Sequence, residues 1–193
     1  MNTYKVEEVC AFSRAKDKWG EFGNMTGGFP IRLSKDILVP STENLYQMMR
    51  FVFHPEIQQE ILEQKSGMGA KMVSKKYRKT HTYRGFDDDR VQIMYWCLRL
   101  KAAQHKKYRD ALIETGTRDI VEISKKDDFW GAKPNEDGSE LVGFNALGHL
   151  HMVVRQVIQE DDNSENFKVV NAPIMENCLV LEKEIQILDF RKK

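Results

Sequence analysis

The sequence predicts an α+β fold, mostly helical, a single domain with short strands and a C-terminal strand-like extension. Three observations lead there. Apolar positions from about Asp87 to His105 recur at helical spacing, short β-rich runs such as Ile120–Ile123 are bounded by turn residues, and 41% of the 193 residues are hydrophobic, enough for a core.

Taken in order, Tyr4–Phe12 reads as a short strand. Trp19 to Gly28 is glycine-rich and reads as loop. Pro30 to Val39 reads as a strand or hairpin closed by Pro40, and a helix is expected from Ser41 to about Phe53. Pro55 suits the first turn of another helix. Gly67 and Gly69 interrupt the pattern ahead of a basic helical stretch through Arg78. The longest helix carries Val91, Met94, Tyr95, Leu98 and Ala102 at helical spacing, with Asp87, Asp88 and Asp89 at its positive end. A shorter helix covers Tyr108–Glu114 and stops at Gly116. Asn145 is expected to cap a helix with Leu147, Leu150, Val154 and Val157 on one face. Glu160–Glu165 reads as an acidic linker, and Val180–Phe190 is strand-like with no assigned partner.

Composition narrows the function classes. Thirty Lys and Arg against 29 Asp and Glu leave a net charge of +1, so contact with a polyanion requires a local patch. Cys10, Cys97 and Cys178 are far apart, and no CxxC or Cys/His pair at ligand spacing occurs. That pattern argues against a zinc site and a disulfide framework, and no metal and no cofactor is expected. With no 18-residue apolar run and no signal-peptide pattern, a cytoplasmic location and no membrane partner are expected.

Three constellations could carry chemistry. In Ser41 through Phe51, helical geometry places Glu43, Tyr46, Gln47 and Arg50 on one polar face. Glu43 either complements the helix dipole or serves as a carboxylate that positions water or stabilises a sugar cation; a helix start favours its ionised form, hence a base or electrostatic role. In Asp127 through Lys133, Trp130 beside Gly131 is either a base platform or a plug at the core edge, and Asp127 either acts on substrate or caps a turn. In Gly143 through Arg155, the helix after Asn145 offers backbone donors for a phosphate, Gly148 permits close approach and Arg155 lies two turns on. His149 and His151 fall on different helix faces, which disfavours a shared metal. Lys71 to Arg84 is a basic run, solvated or in contact with phosphate, and Lys101 either snorkels or reaches an anion.

These segments, in this order, resemble the NADAR family, also called YbiA-like N-glycosidases. The matching stretches are Phe22-Gly23-Asn24, Ser41 to Gln47, Arg84-Gly85-Phe86, Met94 to Lys101, Thr115 to Glu122, Asp127 to Gly131 and Gly143 to Arg155, about residues 12–158. The resemblance implies a catalytic domain over 1–159, with 160–193 an appendage of open role. It implies hydrolysis at an anomeric carbon, with Glu43 the key carboxylate and Asp127 the second catalytic candidate. The expected substrate-binding set is Asn24, Tyr46, Lys71, Arg84, Phe86, Lys101, Trp130, Gly131, Asn145, Gly148 and Arg155. The chain departs from the family pattern at Met25 and Phe86, where Phe and Trp are usual, at Met49-Arg50-Phe51, and at His149 and His151.

Two substrate classes follow from the resemblance. One is ADP-ribose attached to guanine in DNA, whose removal would reverse DNA ADP-ribosylation as an antitoxin paired with a DNA ADP-ribosyltransferase toxin. The other is a phosphoribosylamino-pyrimidine intermediate of riboflavin biosynthesis. The Glu43-to-Phe51 version and Ala70-Lys71-Met72 look more like the ADP-ribose branch. A non-catalytic module that binds ADP-ribose or NAD is the reading from a different class.

Overall fold

The computed structural model describes residues 1–191. In chain order the elements are β1 (Asn2–Lys5), β2 (Cys10–Phe12), a 3-10 turn (Gly20–Phe22), β3 (Ile31–Arg32), β4 (Leu38–Val39), α1 (Thr42–Met48), α2 (Pro55–Leu62), α3 (Gly67–Tyr77), α4 (Phe86–Gln104), α5 (Lys106–Glu114), β5 (Ile120–Glu122), β6 (Lys133–Pro134), β7 (Glu140–Gly143), α6 (Ala146–Gln159), β8 (Val169–Asn171), β9 (Leu179–Val180), β10 (Lys183–Glu184) and β11 (Ile187–Asp189). The fold is therefore mixed, with six α-helices and short strands among the described residues. The chain gathers into two compact units, one from Met1–Gly23 with Lys106–Asp161, the other from Asn24–His105 with the segment beginning at Asp162.

In the first unit, β1 pairs antiparallel with β7, and β6 pairs with the other edge of β7. The stretch expected as one strand is thus two, because β2 leaves that sheet and pairs in parallel with β5. Tyr4, Val121, Ala132 and Leu141 form an apolar cluster between them. A second core surrounds His151, which is fully buried on α6. Its Nε2 donates to the Phe22 carbonyl at 3.0 Å and its Nδ1 accepts from the Tyr108 hydroxyl at 2.7 Å, which fixes one neutral tautomer. The rings of Phe12, Phe22 and Tyr108 pack around it. The helix face inferred from Leu147 and Val154 therefore also includes a histidine. Gly116 ends α5 with φ 62°, the left-handed stop anticipated for it.

In the second unit, β3 and β4 form the expected hairpin. Ser41 caps α1 by accepting from the Asn44 N–H, and the Asn44 amide donates to the Ile61 and Gln64 carbonyls, pinning the end of α2. All seven residues of α1 are buried, since it packs against α2, α3 and α4. Gly67 and Gly69 do not interrupt α3. They lie in its first turn behind the Ser66 cap, and Gly67 is excluded from carrying a side chain because a Cβ there would lie 2.9 Å from Glu43 Cβ.

The C-terminal segment finds partners within this second unit. β11 pairs with β8, β9 pairs with β10, and Gln58 donates to the Leu179 carbonyl while accepting from the Leu181 N–H. The Arg99 guanidinium donates to the Phe167 and Val169 carbonyls. Lys192 and Lys193, the end of the expected extension, lie outside the described residues.

Gly148 is the tightest point of the first unit, for a Cβ there would sit 1.9 Å from the Ile120 carbonyl oxygen. Gly148→Ala is expected to destabilise the protein by at least about 3 kcal/mol, as overpacking against immobile backbone does. Gly27→Ala, where a Cβ meets nothing within 4 Å, is expected to stay within about 1 kcal/mol. Urea unfolding of both variants checks this.

Candidate active site

The expected site residues fall into two groups by unit. Asn24, Glu43, Tyr46, Lys71, Arg84, Phe86 and Lys101 belong to the second unit, and Asp127, Trp130, Gly131, Asn145, Gly148 and Arg155 to the first.

Glu43 occupies the first turn of α1, and its N–H donates to the Asn24 carbonyl at 3.0 Å. Its side chain is only 6% exposed. The Gln47 amide, one turn on, donates to Oε1 at 2.8 Å. Burial pushes the carboxyl above the usual carboxylate range, against the Gln47 hydrogen bond and the nearby charges of Lys71 and Arg50, which pull it down. Burial thus acts against the ionised form that the helix start is expected to favour. The helix is buried on its polar side too, so desolvation outweighs the favourable end of the dipole.

Among the described residues, the buried side-chain atoms Asn24 Oδ1, Thr42 Oγ1, Arg50 Nε and Trp96 Nε1 have no hydrogen-bond partner, and the first three belong to residues that contact, adjoin or act electrostatically on Glu43. Asn24 holds the Glu43 backbone and donates through Nδ2 to Met94 Sδ at 3.3 Å. Thr42 precedes Glu43 in the same turn and is buried. The Arg50 guanidinium lies 3.8 Å above the centre of the Phe86 ring, and its charge acts on Glu43. Leaving a buried polar atom unmatched costs about 1–3 kcal/mol.

Phe86 is fully buried, with Arg50 over its face and Tyr46 and Tyr83 against its ring at 5.7 and 5.9 Å. The expected role as a stacking surface for substrate is thereby corrected: the ring is a platform for Arg50. Tyr46 is 6% exposed, and desolvation raises its phenol above the usual range. Lys101 is fully buried with its ammonium 4.5 Å from the centre of the Phe29 ring, so it does not snorkel. Lys71 and Arg84 are exposed.

In the first unit, motif residues hold the chain together. Asn145 enters α6 in the left-handed region, φ 56°, and makes no side-chain cap. Its amide donates to the Ile120 carbonyl and its Oδ1 accepts from the Glu122 N–H, latching α6 to β5. The backbone N–H groups of Phe144, Asn145, Ala146 and Leu147 donate to the carbonyls of Asp128, Gly131, Phe129 and Trp130 respectively. The phosphate cradle expected at this helix start is therefore corrected, because the loop before β6 uses those donors. Arg155 is buried and donates to Thr115 Oγ1 at 2.6 Å and to the Arg118 carbonyl at 2.8 Å, which ties α6 to the end of α5. Gly131 and Gly148 are small because protein backbone approaches them. Asp127 Oδ1 accepts from the Phe129 and Trp130 N–H groups, a turn cap, and the catalytic role expected for it finds no support in this geometry. Trp130 is half-buried, its ring edge-on to Phe129 at 5.2 Å.

Gln47, Arg50 and Thr42 join the site without having been singled out as binding residues. The helical spacing already placed Gln47 and Arg50 on the face of Glu43, but spacing alone does not show which face is buried.

Glu43 is thus a buried carboxyl clamped by Gln47 on α1. The NADAR domain model matches residues 11–159, and the chain belongs to that family. It is 27% identical over 150 residues to N-glycosidase YbiA of Escherichia coli (strain K12), covering 78% of this chain and 88% of that one. It is 32% identical over 121 residues to a riboflavin biosynthesis protein of Vibrio vulnificus (strain YJ016), covering 63% of this chain and 31% of that one, so it spans about a third of that relative. The NMR structure of the E. coli protein YbiA superposes with a TM-score of 0.64 at 25% identity, covering 83% of this chain and 94% of that one. Among the described residues no helix is long and apolar enough to cross a membrane.

The raised pKa of Glu43 has a stability consequence. Between the ordinary value of 4.5 and the higher folded value, the folded state binds more protons than the unfolded state, so stability falls as pH rises through that window. Glu43→Gln keeps an acceptor for Gln47 and removes the charge. Its melting temperature is expected to gain on the parent as pH is raised from below 4.5 to neutrality, and a gap constant with pH would contradict the burial argument.

Proposed function

We propose that the chain hydrolyses an N-glycosidic bond, and that its substrate is ADP-ribose joined to a guanine base in DNA. The observation that carries the reaction class is Glu43, a buried carboxyl biased towards its protonated form within a family whose relatives include proteins named N-glycosidase. Gln47 donates to Oε1, which leaves Oε2 as the oxygen that carries the transferred proton in this mechanism. Glu43 gives that proton to the leaving nitrogen as the bond to the sugar carbon breaks, and the electron pair goes to the base. The ribosyl cation then faces the new carboxylate, which stabilises it and takes a proton from water as the water oxygen bonds to the sugar carbon. The sum is substrate plus water giving ADP-ribose and base, with Glu43 restored.

The choice of ADP-ribose rests on the Glu43-to-Phe51 and Ala70-Lys71-Met72 segments, and cations stand by the carboxyl to support it. Arg50 and Lys71 act on Glu43, and Arg84 is exposed in the same unit. In this role the protein reverses DNA ADP-ribosylation, as the antitoxin of a DNA ADP-ribosyltransferase. A second reading, an N-glycosidase for phosphoribosylamino-pyrimidines, is favoured by the Vibrio relative named for riboflavin biosynthesis.

Glu43→Gln is expected to lower turnover at least about a hundredfold while binding of ADP-ribose changes little. Near-normal turnover would remove Glu43 from the chemistry, and turnover absent from both proteins would favour a binding module. Free ADP-ribose is expected to compete with substrate far better than ribose 5-phosphate, read as inhibition constants. Equal inhibition, with cleavage of the pyrimidine substrate and none of modified DNA, would move the assignment to the second reading.

A further inference from the structure

α3 has two unlike faces. Gly67, Ala70, Val73 and Ser74 are buried, and the helix packs against α1 and α2. The outer face presents Met68, Lys71, Met72 and Lys75, all exposed, and continues past the helix end to Lys79. The helix contains no acidic residue, and among the described residues Lys76 is its one cation in a close ion pair, with Glu60 at 2.7 Å, while Lys71 acts on Glu43 at longer range. Met68 and Met72 are 57% and 55% exposed, and Met25 is 36% exposed. The first turn of this helix touches the candidate active site, since a Cβ on Gly67 would lie 2.9 Å from both Glu43 Cβ and Met25 Cα.

We propose that this face of α3, with Met25 beside its first turn, is the docking surface for the DNA strand that carries the modified base, a proposal that rests on the glycosidase reading above. At about 1.5 Å per residue, Lys71, Lys75 and Lys79 span about 12 Å, the axial length of roughly three phosphate steps on one strand. The overall net charge of +1 cannot hold a polyanion, so this uncompensated local stripe is what meets it. The methionines add soft, adaptable apolar contact to sugars and bases at the edge of the site. A membrane surface fits less well. An interfacial helix inserts its apolar face, whereas that face of α3 is spent on α1 and α2, leaving two methionines and no exposed aromatic.

The test uses the full chain, an unmodified duplex oligonucleotide and fluorescence anisotropy across about 50–200 mM salt. Lys75→Gln with Lys79→Gln is expected to weaken binding about tenfold at the lower salt and to reduce the slope of log affinity against log salt by about two, roughly 0.9 per lost phosphate contact. The same double variant is expected to hydrolyse free ADP-ribosyl-guanosine at the parent rate and to show a raised KM on ADP-ribosylated DNA. Unchanged affinity and slope overturns the proposal, as does binding to phosphatidylserine vesicles without binding to DNA. A parent protein that binds DNA with the predicted slope but cleaves neither substrate keeps the docking surface and refutes the glycosidase reading.

Discussion

Everything else in the second unit depends on α1 being buried on all sides, including the side that carries polar groups. A helix whose seven residues are all buried has no solvent to satisfy Glu43, Asn44 or Gln47. The structure answers with local partners: Asn44 binds the carbonyls ending α2, Gln47 binds Glu43, and the Asn24 carbonyl accepts the Glu43 N–H. The matching stops short at Asn24 Oδ1, Thr42 Oγ1 and Arg50 Nε. A carboxyl whose pKa is raised by burial suits the proposed transfer of a proton to a leaving group, and the unmatched atoms cost stability. Stability sacrificed at a functional site in this way is common.

The first unit illustrates a different use of motif residues. Its glycines and Asn145 look like a phosphate-binding helix entry, yet they serve close packing. Gly131 lets backbone approach the Glu122 carbonyl, Gly148 lets α6 lie against the Ile120 carbonyl, and Asn145 bridges β5 through both ends of its amide. Arg155 repeats the lesson, since its charge is consumed by Thr115 and the Arg118 carbonyl.

Much of this was legible in the sequence. Pro55, Ser41 and the period of 87–105 located helices because caps and periodicity act locally. The polar face of α1 was visible, but its burial was not, because burial depends on α2, α3 and α4 arriving from elsewhere. Hence the upward pull of burial on Glu43 was not foreseen, and Phe86 was expected to stack on substrate although Arg50 covers its ring. The partner of Val180–Phe190 was unreadable for the same reason: β8 lies in a short run after the acidic stretch, and Gln58 and Arg99, which anchor the segment, are remote in sequence.

The proposed proton transfer turns on Glu43, whose pKa burial raises. Its carboxyl can be followed directly by carbon-13 NMR titration, with Glu43→Gln identifying the resonance. The expected midpoint lies above 4.5 and rises further when Gln47 is replaced by Leu, because the lowering hydrogen bond is lost. A midpoint at or below 4.5 would contradict it, and would return Glu43 to the role of a carboxylate ionised throughout the reaction.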